Sequence, residues 1–116
     1  SLFDHADWGW DICKRVNSPN VKILLDIYHD ALMEGNVSQK IRDNIQWIAH
    51  IHTGSIGANL PPGRYELWRN NELDYRYLAQ VIAGTGFQGF VSHEWRPSPN
   101  SDVAEDLRKT IELMTV

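Results

Sequence analysis

Polar side chains interrupt three short apolar segments near the point where each segment ends. Asp26 lies near the end of the first segment, His50 and His52 near the end of the second, and Glu94 near the end of the third. Two carboxylates with one or two imidazoles, and no thiolate, form a donor set for one divalent cation: Mn²⁺, Mg²⁺, Co²⁺ or Zn²⁺. If the segments are parallel strands, their carboxyl ends share one rim, and the pattern predicts a metal site there.

The three segments have the length and composition of strands. Each is short, rich in Ile, Val or aromatic residues, and bounded by Gly, Pro or Asn. The predicted strands are 21–28, 47–53 and 87–95. Residues two apart point to the same face of a strand, so Asp26 should share its face with Leu24, and Glu94 should share its face with Ser92 and Phe90.

Helical patterns separate these strands, and each begins at a residue that commonly caps helices. The expected starts are Asp4 or Asp7, Asn36 with Gln39 as a capping box, Asp74, and Ser101 or Asp102. The last helix carries an apolar stripe expected to face inward, formed by Val103, Leu107, Ile111 and Met114. Glu105 and Lys109 are spaced as an exposed ion pair.

The resulting order, α-β-α-β-α-β-α with three parallel strands, predicts an α/β fold that is the C-terminal part of a (β/α)8 TIM barrel. Residues 1–116 form one unit in this interpretation, with the N-terminal strands of the barrel absent. A three-stranded parallel sheet leaves two unpaired edges. Association through those edges, including formation of a homo-oligomer, is therefore expected.

Composition excludes several classes of partner. The chain has 11 Lys and Arg against 15 Asp and Glu, a formal net charge of −4, and so offers no broad surface for nucleic acid. No apolar run approaches the ~20 residues that a membrane span needs, and no signal peptide is visible, so the expected location is cytoplasmic. The one cysteine, Cys13, is expected to be a small core residue.

Several motifs then point to a family. The segments LLDIYHDALMEGN, IRDNIQWIAHIHTG, PPGRYE, ELDY and TGFQGFVSHEWRP follow one another over nearly the whole chain. In this order they resemble the hydroxypyruvate isomerase branch of the xylose-isomerase-like TIM barrels, which is related to the ketose 3-epimerases. The resemblance implies an isomerase or epimerase acting on a small sugar or hydroxy-keto acid.

The resemblance also implies roles for particular residues. Asp26, His52 and Glu94 would bind the divalent cation, and His29 and Arg64 would contact substrate oxygens. The reaction would remove a proton next to a carbonyl and pass through a metal-stabilised enediolate, with Glu94 as one of two acid–base carboxylates. The other, a Glu that is also the fourth metal ligand, would end a strand just before the first residue of this sequence.

The chain departs from the family pattern at two places. The loop before Arg64 is longer than is usual in the branch, and Asp30 stands where Met is usual, so it is either a pocket residue or a solvated loop residue. His50 and His93 are expected to pack in the structure or to orient a metal ligand by hydrogen bonding.

Three other functions remain open at this point. A metal phosphodiesterase similar to endonuclease IV and a metal-dependent dehydratase or lyase could both be built on the same barrel. The third is that the 116-residue chain is not itself an enzyme but a barrel fragment that folds by associating.

Overall fold

The computed structural model describes residues 6–57, 63–68 and 71–116, and its helices and strands alternate. Five α-helices and three strands occur among these residues, with a short 3-10 helix at Ile45–Trp47. In chain order they are α1 (Ala6–Val16), β1 (Ile23–Asp26), α2 (Ile27–Met33), α3 (Val37–Asn44), β2 (Ile48–Thr53), α4 (Tyr75–Gly84), β3 (Phe90–His93) and α5 (Val103–Met114). The candidate helix cap Asp4 lies outside the described residues.

The three strands form one parallel sheet in the order β1-β2-β3, which confirms the predicted class of fold. Asp26 is in register with His52, and His52 is in register with Ser92. Side chains in register on neighbouring strands point to the same side of a sheet. The register therefore sets the polar residues at the strand ends side by side.

One face of the sheet is covered by helices and the other is open. Leu25 and Ile51, on the covered face, are buried in a core that also contains Trp10 of α1. On the opposite face Leu24 is 50% exposed and Phe90 is 78% exposed. This open face carries the polar residues at the strand ends, and it is the side that would face the interior of a closed barrel.

The helices bury mainly apolar residues against the covered face. Asp74 caps α4, because its side chain accepts a hydrogen bond from the Tyr77 backbone N–H, and the helix buries Leu78, Val81 and Ile82 as predicted. Cys13 of α1 is also buried, which confirms that it is a core residue. The helices thus hold the sheet from one side only.

The predicted strand 21–28 is too long, because the chain turns into α2 directly after Asp26. Ile27 and Tyr28 are helical rather than extended. The Asp26 side chain caps α2 by accepting a hydrogen bond from the His29 backbone N–H at 3.1 Å. One aspartate therefore ends the strand and begins the helix.

Asn36 does not form the predicted capping box. It precedes α3 with φ at 53°, in the left-handed region, and its side chain makes no capping hydrogen bond. Asparagine tolerates this conformation better than most residues. Asn36 therefore serves as a turn residue between α2 and α3.

The apolar stripe of α5 is largely exposed, contrary to the prediction. Ile111 is 65% exposed, and Val103 and Leu107 are exposed as well, whereas the buried side chains of this helix are Asp106 and Thr110. The predicted partner of Glu105 is also different, because Arg108 binds Glu105 and Glu112 on the helix surface.

We expect the 116-residue chain, expressed by itself, to sediment as a dimer or a larger assembly, because its open face exposes Leu24 and Phe90. Phe90→Lys should shift the species towards monomer, whereas Val116→Lys, at an exposed position near the C-terminus, should not. Analytical ultracentrifugation checks this. A monomer of the unsubstituted chain with a cooperative thermal transition would contradict it.

Candidate metal centre

Asp26 uses its two carboxylate oxygens for different purposes. Oδ1 accepts the hydrogen bond that caps α2, and Oδ2 lies 3.0 Å from a terminal nitrogen of Arg64. A capping bond fixes the side-chain rotamer, because it ties the carboxylate to the first turn of the helix. Asp26 is thereby directed towards the rim of the sheet.

His52 and Glu94 reach the same rim from β2 and from the end of β3. The Glu94 backbone N–H donates to the Thr53 carbonyl at 3.1 Å, which extends the pairing of these strands by one residue. The His52 Nδ1 atom then lies 3.6 Å from Glu94 Oε2. Because Glu94 is held by backbone pairing, its position does not depend on a loop.

The structure brings Asp26, His52 and Glu94 together with one ligand atom of each within 4.8 Å of the others. Two carboxylate oxygens and one imidazole nitrogen are a donor set that suits Mn²⁺, Mg²⁺, Co²⁺ or Zn²⁺. All three residues lie at least partly open to solvent on the uncovered face. The residues that are present therefore fit a divalent cation.

Arg64 lies between the two carboxylates. One terminal nitrogen is 3.0 Å from Asp26 Oδ2, and the other is 3.0 Å from Glu94 Oε2. The Arg64 Cζ atom also lies over the Tyr28 ring, 4.5 Å from the ring centroid. The long loop before Arg64 therefore does not keep this residue away from the candidate site.

His29 lies beside Arg64 at the edge of the site. Its Nε2 atom is 2.8 Å from a terminal nitrogen of Arg64 and 3.9 Å from Asp26 Oδ2. Guanidinium nitrogens only donate hydrogen bonds, so Nε2 must accept and the ring proton must sit on Nδ1. As an acceptor, Nε2 could take a hydrogen bond from another donor, such as a hydroxyl group, in place of Arg64.

A glycine and a tyrosine that the sequence did not single out as site residues position Arg64 and Tyr28. A Cβ atom on Gly54 would lie 3.0 Å from the Tyr28 Cβ and 3.1 Å from Arg64 Nη1. The buried Tyr75 hydroxyl donates to the Gly54 carbonyl and accepts from the Gly54 N–H, at 2.8 and 2.9 Å. Burial raises the pKa of Tyr75, which keeps this hydroxyl protonated. The sequence signals were the place of Gly54 directly after a strand end and the place of Tyr75 in the motif ELDY.

The two further histidines lie on opposite faces of the sheet. His50 forms a hydrogen bond with Ser92 Oγ at 2.8 Å, and its ring contacts that of His52 edge to face. His93 bonds to Thr53 Oγ1 and stacks on Trp95, and burial lowers its pKa to about 4. His93 therefore packs as a neutral ring, whereas His50 lies where it can orient His52.

Asp30 is neither a pocket residue nor a solvated one. It is buried in α2, and Lys40 of α3 donates to its Oδ1 at 3.1 Å while also binding Glu34. Burial raises the pKa of the Asp30 carboxyl, and the hydrogen bond from Lys40 opposes that rise. This ion pair joins α2 to α3 and does not reach the site.

Comparisons with known proteins identify the family of the chain. A family model described as xylose isomerase-like TIM barrel matches residues 2–115. A 2-oxo-tetronate isomerase from Cupriavidus necator is 36% identical over 96 residues, which cover 83% of this chain and 35% of that protein. A Mus musculus protein named "Putative hydroxypyruvate isomerase" is 34% identical over 96 residues, 83% of this chain and 32% of that protein. The chain thus spans about a third of the length of these curated relatives.

A solved structure has the same arrangement of strands and helices. The crystal structure titled AP endonuclease, family 2, from Brucella melitensis superposes with a TM-score of 0.79 and is 29% identical. The superposition covers 94% of this chain and 39% of the other.

We expect Gly54→Ala to destabilise the full-length protein by about 1–3 kcal/mol, because the added methyl group would press on Tyr28 and Arg64. The matched control is Gly84→Ala, since a Cβ at Gly84 meets nothing within 4 Å. Urea unfolding measures both. Equal midpoints for Gly54→Ala and the unsubstituted protein would show that this close approach is unimportant.

Proposed function

Because the chain belongs to the xylose isomerase-like TIM barrel family, we propose that the whole protein is a divalent-metal-dependent isomerase or epimerase of small sugars or hydroxy-keto acids. The observation that supports this most strongly is the convergence of Asp26, His52 and Glu94, whose ligand atoms lie within 4.8 Å of one another. The relatives named as isomerases agree with this class of reaction.

In this proposal Asp26, His52 and Glu94 hold the cation. When bound, the cation would polarise the substrate carbonyl and offset the negative charge that develops on its oxygen. Each residue comes from a different strand end, so the backbone of the sheet sets their spacing. A site fixed by strands needs little rearrangement to accept a ligand.

Glu94 is the proposed base. Its carboxylate is 53% exposed on the open face, where a substrate can reach it. Removal of the proton from the carbon next to the carbonyl gives an enediolate. Return of a proton to the former carbonyl carbon, together with transfer of the hydroxyl proton to the former carbonyl oxygen, completes isomerisation. Return of a proton to the opposite face of the carbon that lost it completes epimerisation. The second carboxylate that the family pattern implies would supply this proton.

Arg64 and His29 are the proposed substrate-binding residues. Arg64 presents a rigid fork of donors suited to a carboxylate or to vicinal oxygens. His29 Nε2 accepts a hydrogen bond from Arg64 at 2.8 Å and could accept one from a substrate hydroxyl instead. The two residues together define which oxygens of the substrate lie beside Glu94.

The AP endonuclease similarity raises the phosphodiesterase function again. Cleavage of a nucleic acid backbone needs basic surface near the metal centre. The net charge of −4 favours a small substrate over a nucleic acid. No observation in the described parts of the chain favours the lyase.

We expect Glu94→Gln to lower kcat of the full-length enzyme by about 10²–10⁴-fold, because the amide cannot accept the substrate proton. Glu112→Gln, which changes an exposed carboxylate on α5 that pairs with Arg108, should leave kcat unchanged. Turnover on a panel of ketoses and 2-keto acids, with circular dichroism to confirm folding, checks this. Full activity of Glu94→Gln on any substrate of the unsubstituted enzyme would exclude the base role.

We expect Mn²⁺ to raise the melting temperature of the full-length protein, because a ligand that binds only the folded state stabilises that state. The stabilisation is about 2.7 kcal/mol when the ligand concentration is 100 times its Kd. Asp26→Asn should remove most of that rise, whereas Asp43→Asn, at an exposed position on α3, should keep it. Differential scanning calorimetry with and without Mn²⁺ measures the effect. An equal rise in Asp26→Asn would place the cation elsewhere.

A further inference from the structure

A second arginine, Arg96, lines a groove that adjoins the candidate metal centre. The groove has a volume of about 400 Å³, and its walls include Tyr28, Arg64, Tyr65 and Arg96. Arg64 is shared between this groove and the carboxylates of Asp26 and Glu94. A molecule bound at the metal centre could therefore extend into the groove.

The backbone holds Arg96 next to Arg64. The Arg96 N–H donates to the Arg64 carbonyl at 3.2 Å, so the two residues are paired although they are far apart in sequence. Pro97 follows Arg96 and fixes the backbone there. Tyr65, the residue after Arg64, is held in turn by its N–H, which donates to Ser55 Oγ at 2.9 Å. Backbone hydrogen bonds therefore hold both arginines, and the tyrosine next to Arg64, in the walls of the groove.

The two guanidinium groups differ in their charge partners. Arg64 is paired with Asp26 and Glu94, and its side chain is only 16% exposed. Arg96 is exposed, and within residues 6–57, 63–68 and 71–116 no carboxylate pairs with it. The groove thus holds one positive charge that no carboxylate within these residues neutralises.

We propose that Arg96 binds the carboxylate of the substrate, and that the substrate class is a short hydroxy-keto acid rather than an uncharged ketose. This inference rests on the proposed function, because it places the reacting carbons at the metal centre and the carboxylate in the groove. A guanidinium binds a carboxylate through two parallel hydrogen bonds, which fixes orientation as well as position. One uncommitted guanidinium matches the single charge of a carboxylate better than the double charge of a phosphate.

The kinetic test compares two four-carbon substrates that differ only at C1. 2-Oxo-tetronate carries a carboxylate there, and erythrulose carries a hydroxymethyl group. With full-length enzyme and Mn²⁺, Arg96→Gln should raise KM for 2-oxo-tetronate roughly 10- to 100-fold, with kcat within about twofold, because a charge-assisted hydrogen bond is lost. KM for erythrulose should stay the same, and Arg96→Lys should recover part of the affinity.

The matched control is Arg76→Gln, which removes an exposed arginine on α4. It should leave KM unchanged for both substrates. Equal effects of Arg96→Gln on both substrates, or no effect on 2-oxo-tetronate, would overturn the proposal.

A binding test separates this inference from the proposed function. Isothermal titration calorimetry would measure D-glycerate, its uncharged counterpart glycerol, and inorganic phosphate against the full-length protein and Arg96→Gln. Glycerate binding that depends on Arg96, in a protein that turns over neither substrate, would support the carboxylate site while the proposed isomerase function fails. Absence of Arg96-dependent glycerate binding would overturn the inference. Arg96-dependent binding of phosphate that is tighter than that of glycerate would also overturn it.

Discussion

Two carboxylates held at one rim of the sheet repel each other, and the site depends on a positive charge that offsets this repulsion. Asp26 and Glu94 have oxygens within 4.8 Å, a separation at which like charges repel by on the order of 3 kcal/mol near a protein surface. In the structure, the guanidinium of Arg64 supplies the positive charge by lying 3.0 Å from each carboxylate. A divalent cation would supply the same compensation, so the site is preorganised for positive charge.

The parallel register is what creates this crowding. Asp26 is in register with His52, and the Glu94 N–H donates a hydrogen bond to the Thr53 carbonyl. Asp26, His52 and Glu94, which are far apart in the sequence, therefore lie side by side at the same edge of the sheet. The helices that cover the other face hold the strands but contribute few side chains to the rim. Gly54 and Tyr75 add the local fit, since the Tyr75 hydroxyl holds Gly54 where an added Cβ atom would lie 3.1 Å from Arg64 Nη1. Backbone geometry, rather than loop conformation, therefore sets the positions of Asp26, His52 and Glu94.

The sequence predicted the sheet and the meeting of Asp26, His52 and Glu94, because alternation and strand ends are local patterns. It missed the start of α2, since strand-forming residues stand on both sides of Asp26 in VKILLDIY, and this pattern does not separate a strand that continues from one that ends at a helix cap. It misjudged Asp30, because the partner Lys40 lies ten residues away on another helix. The stripe on α5 has the expected helical period, yet Ile111 is exposed, since periodicity reports which side chains share a face and not what covers that face.

One divalent cation is expected to bind between Asp26, His52 and Glu94. Crystals of the full-length protein soaked in Mn²⁺, with diffraction recorded at the manganese absorption edge, test it most directly. The anomalous peak should lie in contact with all three side chains, with the Arg64 guanidinium moved off at least one carboxylate. A peak elsewhere on the protein, or Arg64 still bridging both carboxylates with Mn²⁺ bound at a different site, would contradict the account.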